Sequence, residues 1–278
     1  MANYAKMNIL VTLDQNYILP LRVMLHSILT ADPQTHIMLY VAHSSLTDAD
    51  FARIREGVPE GQCTLCPVYV PPELLCDAPV LRRLTKASYY RLIAPAYLPQ
   101  EVDRILYLDP DITVIRSLRE LYETDLEGNY IAAAGHFDGW FLAMNLKRLG
   151  IRYNRDYVNS GVLLMDVEKL RALNNTQQIF DYVRDHARKL LLGDQDMVNI
   201  FYDGKIKILD TRKYNLDEKT FLRRKKRGEI DEAWVRDNGV LIHYDGSKKP
   251  WHSGYKGALS GYFMQARADL EKKVGGSL

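Results

Sequence analysis

MNILVTL (residues 7–13) is an apolar, β-rich run that ends on the polar break Asp14, Gln15 and Asn16, and YILPLRVMLHSILTA (17–31) follows at once. In the second segment Ile18, Leu21, Leu25, Ile28 and Leu29 fall at helical spacing, with Pro20 in the first turn, where its missing N–H costs no bond. The pair reads as a buried strand feeding a helix. Residues 36–42 read as a second strand. Thr47 with Asp50 three residues later signals a helix start that Gly57 and Pro59 close, and residues 64–70 read as a third strand. After the loop PPELLCDAP (71–79), TKASYYRLIAPAYLP (85–99) reads as helical and RILYLD (104–109) as a fourth strand. This alternation predicts an α/β protein with a mostly parallel sheet covered by helices on both faces.

Beyond residue 112 the pattern is more mixed. YIAAAGH (130–136), GVLLMD (161–166), IKIL (206–209) and VLIHY (240–244) read as strands, and residues 137–160 as an irregular, aromatic connection. Residues 176–190 read as an amphipathic helix. GDQDMVNIFY (193–202) reads as another with Asp194 and Asp196 at its N-terminal end, and residues 256–274 as a terminal helix. In open α/β sheets the ligand sits at the carboxyl ends of the strands. Asp14 and the pair Asp109 and Asp111 are therefore the first places to look for chemistry.

The chain has 278 residues, with 37 Lys plus Arg against 35 Asp plus Glu, a net charge of +2 and 26% charged residues. Such a balance excludes a disordered or acidic solvating chain and a polyelectrolyte that coats nucleic acid. Any anionic partner must be met by a local site. The apolar run 9–13 is far shorter than the roughly 20 residues that span a bilayer, and no basic-then-apolar leader is recognisable. The expectation is a cytoplasmic protein. The three cysteines, Cys63, Cys66 and Cys76, cannot all pair. The Cys-x-x-Cys of Cys63 and Cys66 lies in an extended-looking segment, where positions three apart face opposite ways, so plain reduced thiols are expected rather than a zinc site.

LYLDPDITV (106–114) places Asp109 and Asp111 directly after a strand. Two carboxylates so spaced can reach one cation, and oxygen ligands favour Mg²⁺, Mn²⁺ or Ca²⁺; capping and turn formation is the bland alternative. The same residues, with Thr113, also resemble the first motif of haloacid-dehalogenase-type phosphatases, with Asp109 as phosphoryl-accepting nucleophile and Asp111 as acid. That family needs a further acid three or four residues after the first Asp of its fourth motif, where this chain has Met197, Val198 and Asn199. Its first motif also opens the domain, whereas here about 100 residues of α/β unit come first.

Taken in order, NILVTLDQNY (8–17), Arg91 in SYYRLIAP, LDPD, NSGVLLMD (159–166), DQDMVN (194–199) and HYDGSKKPW (243–251) resemble the family 8 retaining glycosyltransferases, across roughly residues 7–251. The resemblance implies a GT-A fold: a Rossmann-like, mixed but mostly parallel sheet flanked by helices. The expected organisation is a catalytic domain over 1–251 and a C-terminal helical extension over 252–278. The implied activity moves glucose or galactose from UDP-glucose or UDP-galactose to a glycan, glycolipid or lipopolysaccharide-type acceptor. It implies retention of configuration and Mn²⁺, with Mg²⁺ as the alternative ion. A catalytically inactive sugar-nucleotide binder is the third reading.

Residue by residue, the resemblance makes Thr12, Asp14, Asn16 and Tyr17 the uracil and ribose loop, with Tyr17 as stacking ring. It makes Asp109, Asp111 and His243 the metal ligands, and Arg91, Asn159, Asp194 and Gln195 the contacts of the sugar hydroxyls, Arg91 reaching the diphosphate as well. Gly246 lets the backbone approach the diphosphate, and Lys249 offers a point charge to the leaving phosphate. Double displacement needs a carboxylate on the face opposite the leaving group. The nearest matched residue is Gln195, a poor nucleophile, which favours a front-face mechanism; Asp196 is the nearby carboxylate that could act covalently. RRKKR (223–227) reads as a solvated loop, with an anionic-lipid contact as the alternative. The terminal helix and the aromatic stretch 140–157 read as packing elements, with a membrane contact and an acceptor platform as their respective functional alternatives.

Overall fold

The computed structural model describes residues 5–81, 84–173 and 175–277. Among the described residues nine strands form two sheets: β1 (Ala5–Thr12), β2 (Thr35–His43), β3 (Cys63–Tyr69), β4 (Arg104–Leu108), β5 (Ile112–Val114), β6 (Ile131–Gly135), β7 (Val158–Asp166), β8 (Ile206–Leu209) and β9 (Leu241–His243). The large sheet has the order β3-β2-β1-β4-β7-β6-β8, and β5 pairs with β9 in a separate ribbon. From β3 to β4 all neighbours are parallel; β7 runs antiparallel to both β4 and β6, and β8 is parallel to β6. The mixed, mostly parallel sheet is the expected one.

Near-continuous apolar strands suit a sheet buried on both faces. Met7, Ile9 and Val11 of β1 and Leu106 and Leu108 of β4 pack on one side with the helix Ile18–Ala31. Leu10, Ile105 and Tyr107 pack on the other with Tyr89, Leu92 and Phe180. Cys63 and Cys66 obey the same period: one joins each face, both thiols are free, and burial pushes Cys63 up to about 12. Phe263 and Leu270 of the helix Ser260–Val274 are buried against Val23, Phe221 and Tyr244 in a third cluster.

Two expectations fail. Residues 137–160 are not irregular throughout, because Gly139–Leu149 is helical and closes on Gly150 with φ +72°. Its apolar stripe was hard to read because the helix buries only Asn145 and Leu149 and leaves Trp140, Phe141 and Met144 exposed. RRKKR is not a loop either. Its residues 223–226 complete the helix Glu218–Lys226, which Asp217 caps by accepting from the Thr220 N–H, and the basic side chains lie in the last turn, where the helix dipole favours them. They are also paired: Arg223 and Arg227 with Asp138, Arg224 with Glu229, and Lys225 with Glu232.

Candidate active site

The connections leave β1 toward β2 on one side while β4 lies on the other, so the carboxyl ends of β1 and β4 flank a switch point where a ligand can enter. Asp109 follows β4 directly, and its N–H donates to the carbonyl of Gly161 in β7 (2.8 Å). Asp111 precedes β5, whose register sets Ile112 opposite His243 of β9, and the Tyr244 N–H donates to the Asp111 carbonyl (3.0 Å). Backbone pairing thus carries an imidazole from far along the chain to the carboxylates. His243 Nε2 lies 3.2 Å from Asp111 Oδ1 and 3.7 Å from Asp109 Oδ2. Gly161 makes room for this meeting, since a Cβ there would stand 2.3 Å from His243 Cε1 and 2.6 Å from Asp109 Oδ2.

The three residues fit a divalent cation. Asp111 Oδ1 is buried without a hydrogen-bond partner. Asn215 spends its amide nitrogen on Asn159 Oδ1 (3.0 Å), so its oxygen accepts from His243 Nδ1 (2.8 Å) and the Nε2 lone pair faces the carboxylates. Two carboxylates and one imidazole suit a borderline ion such as Mn²⁺. Burial alone would lower the His243 pKa, yet Asp111 and Asp109 raise it to about 9. Burial would likewise raise Asp111, but His243 and Lys249 hold it well below the usual carboxylate range. Lys249 Nζ sits 2.5 Å from Asp111 Oδ2 and 2.7 Å from the Tyr244 carbonyl. A metal at His243 therefore takes the place of a proton.

A second string of contacts begins at Thr12. Its hydroxyl lies 3.1 Å from that of Tyr107, which donates to Asp109 Oδ1 (2.6 Å). Arg91 bridges Asp109 (2.9 Å) and Asp194 (3.2 Å), stacks over the Tyr107 ring at 4.6 Å and donates to the Ser160 carbonyl (3.1 Å). Burial works against its charge, and Asp109, Tyr107 and Asp194 more than restore it. Asp194 accepts from the Ser160 hydroxyl (2.9 Å); burial raises its pKa despite Arg91. Asn159 Nδ2 donates to Gln195 Oε1 (3.2 Å), and Asn159 Oδ1 accepts from the Gly161 N–H (2.7 Å).

These groups line one cleft. One end, about 280 Å³, is lined by Thr12, Asp14, Tyr17, Thr85 and Ser88. A larger chamber of about 710 Å³ holds His136, Asn159, Asp194, Gln195, His243, Asp245, Gly246 and Lys249, and Arg91, Asp109 and Asp111 belong to both. The Tyr17 ring is braced edge-on by Trp251, 5.9 Å between centroids.

Two of the expected residues stand apart. Asn16 is exposed on the turn after Asp14, outside the lining. Asp196 is fully buried and turned into a network: it accepts from Arg148 Nη2 (2.7 Å) and Nη1 (2.9 Å), the Tyr157 hydroxyl (2.6 Å) and the Leu192 N–H (2.8 Å). Both of its oxygens are saturated, and it has no place in the lining.

A sequence model described as glycosyl transferase family 8 matches residues 8–254. The chain belongs to glycosyl transferase family 8. It is 29% identical over 274 residues to a lipopolysaccharide 1,3-galactosyltransferase of Salmonella typhimurium, covering 95% of this chain and 78% of that protein. It is 28% identical to general stress protein A of Bacillus subtilis, covering 90% and 89%. The crystal structure of galactosyltransferase LgtC in complex with donor and acceptor sugar analogs superposes with a TM-score of 0.79 at 26% identity, over 95% of this chain and 96% of that one. The fold is therefore GT-A and the family is one of glycosyltransferases; the phosphatase alternative is set aside. Within this family 8 site, sequence reasoning passed over Tyr107, Ser160, Asn215, His136 and Asp245. Tyr107 carried a signal, a polar-tipped ring two residues before Asp109 on the same strand face. Asn215 carried none, because only folding brings it to His243.

Proposed function

We propose that the protein transfers glucose or galactose from the corresponding UDP-sugar to a glycan, glycolipid or lipopolysaccharide-type acceptor, with retention of configuration and with Mn²⁺ held by Asp109, Asp111 and His243. The observation that carries this reading is the single cleft in which that triad, the cations Arg91, Lys219 and Lys249 and the amides of Asn159 and Gln195 converge. A cation bound by the triad supplies charge for the departing diphosphate. Tyr17, Thr12 and Asp14 hold the nucleoside; Arg91 and Lys249 present fixed positive charge toward the phosphates; Asn159, Asp194 and Gln195 read the sugar hydroxyls.

The pattern of carboxylates favours front-face transfer. Asp194 is tied to Arg91 and Ser160, Asp196 is saturated, and the residue between them ends in an amide. The bond from the anomeric carbon to the phosphate oxygen breaks, and the acceptor oxygen bonds to the same face. The acceptor proton passes to the β-phosphate oxygen, and the Gln195 carbonyl oxygen steadies the positive anomeric centre. The reading places the enzyme in the cytoplasm with its donor.

The test is thermal stabilisation by UDP with and without Mn²⁺, followed by Mn²⁺-dependent hydrolysis of a panel of UDP-sugars. A shift that needs both components, and hydrolysis of one UDP-hexose in preference to the rest, are expected. Stabilisation without hydrolysis of any sugar or transfer to any glycan would favour the inactive binder.

A further inference from the structure

Beside the donor cleft lies a second cavity of about 640 Å³, walled by Phe137, Phe141, Met144, Leu190, Leu191 and Leu192. Phe137 and Leu192 belong to both cavities, so the groove opens onto the sugar end of the cleft. Large apolar side chains of its lining face solvent: Phe141 is 59% exposed and Leu191 55%. Scattered apolar residues need no explanation, but a contiguous group beside a reacting centre marks a binding surface.

The chemistry of the wall selects the occupant. Aromatic rings alone would also suit the face of a sugar. Met144, Leu190, Leu191 and Leu192 would not, because they offer a hydroxyl no hydrogen bond and would leave it desolvated and unpaired. Asn145 is the one polar side chain among the described lining residues, and it is already engaged: its Nδ2 donates to the Phe141 carbonyl (2.8 Å) and its Oδ1 accepts from Arg148 (2.7 Å). The wall is also braced. Arg148 ties the helix Gly139–Leu149 to buried Asp196, and Arg223 and Arg227 hold Asp138 at its start.

We propose that this groove receives the apolar aglycone of the acceptor: the sugar under attack lies in the cleft, and an alkyl or lipid chain attached to it runs past Phe137 onto Leu191. The proposal rests on the transferase reading above and adds what its acceptor must carry.

The test compares octyl β-galactoside, below its micelle concentration, with methyl β-galactoside by calorimetry on the full chain with UDP and Mn²⁺. The octyl glycoside should bind at least tenfold tighter. Phe141→Asp and Leu191→Asp, both at exposed positions outside the donor cleft, should each remove most of that preference while leaving UDP affinity unchanged. Equal affinity for the two glycosides, or a preference that survives both substitutions, overturns the proposal. So does sedimentation showing a wild-type dimer that either variant splits, or vesicle binding lost in the variants without any alkyl preference. The UDP titration reports separately on the donor site: an octyl preference without Mn²⁺-dependent UDP binding would sink the transferase reading and leave an apolar ligand groove of another purpose.

Discussion

On the Asp109–Asp111–His243 side of the cleft, the proposed metal side, the candidate groups are placed by backbone pairing, whereas on the Asp194–Gln195 side, the proposed sugar side, they are placed by networks of side chains. Asp109 and Gly161 meet through the contact of β4 with β7, and Asp111 and His243 through the register of β5 with β9. Gln195 and Asp194, by contrast, stand on the short helix Asp194–Phe201, whose entry loop is fixed by Asp196, Arg148 and Tyr157. A strand register resists a single side-chain change, while a buried network fails when one member is lost. The two sides should therefore respond differently to substitution: the metal side by losing function in a folded protein, the sugar side by losing stability first.

The largest effect is expected at Asp109. Asp109→Ala should lower sugar transfer or UDP-sugar hydrolysis on the order of 10³-fold, as removal of a principal charge-stabilising group does, and abolish Mn²⁺-dependent stabilisation by UDP. Circular dichroism should remain native, because the strand pairing is untouched. Gln195→Ala should retain measurable turnover under the same assay. A loss equal to that of Asp109→Ala would count against front-face transfer.

Asp196→Ala is the opposite case. It leaves Arg148 without its charge partner, and the Tyr157 hydroxyl and the Leu192 N–H without the acceptor they donate to. Breaking a buried pair from one side costs about 3–5 kcal/mol, to be read from the urea midpoint at constant m. At a temperature where the variant is still folded, activity per folded molecule should stay within a few-fold of wild type. Selective loss of turnover without loss of stability would return Asp196 to the chemistry.

Asn215→Ala sharpens the comparison, since Asn215 serves the metal side by side-chain means. Without its oxygen the His243 ring loses the bond that fixes its tautomer. Mn²⁺ affinity should fall about 10–100-fold, measured by calorimetry, with kcat at saturating Mn²⁺ much less affected. Asn215→Asp, which keeps the acceptor oxygen, should recover most of the affinity. If Asn215→Ala instead lowers kcat and leaves Mn²⁺ affinity unchanged, the positioning role is wrong.

The same division explains what the sequence disclosed. The β1 to β4 alternation and the motifs at strand ends were legible because hydrophobic period and turn chemistry are local. The resemblance, spread over most of the chain, also singled out Asp109, Asp111 and His243, which the fold brings together. The helix Gly139–Leu149 was not legible, because its exposed Trp140, Phe141 and Met144 defeat a pattern that assumes apolar means buried. The direction of Asp196 was not legible for a related reason: adjacency to Gln195 in sequence says nothing of where a side chain points, and on a helix neighbouring residues face about 100° apart. Asn215 lies 28 residues before His243 and could be found only by folding the chain.

The smallest effect is expected where a network is exposed. Asp138 precedes the helix Gly139–Leu149 but caps none of its N–H groups; its carboxylate takes Arg223 (3.3 Å) and Arg227 (3.1 Å) instead. All three side chains are a third or more exposed, so water and salt screen the pair interactions. Asp138→Ala should therefore cost no more than about 1 kcal/mol in a urea titration, and less at high salt. This result would separate two kinds of side-chain network on the proposed sugar side: the buried one around Asp196, which holds the helix Asp194–Phe201 in place, and the solvated one around Asp138, which only steadies the groove wall. A loss comparable to that of Asp196→Ala would mean that the basic helix Glu218–Lys226 is a structural support of the cleft, and that burial is a poor guide to which network the fold depends on.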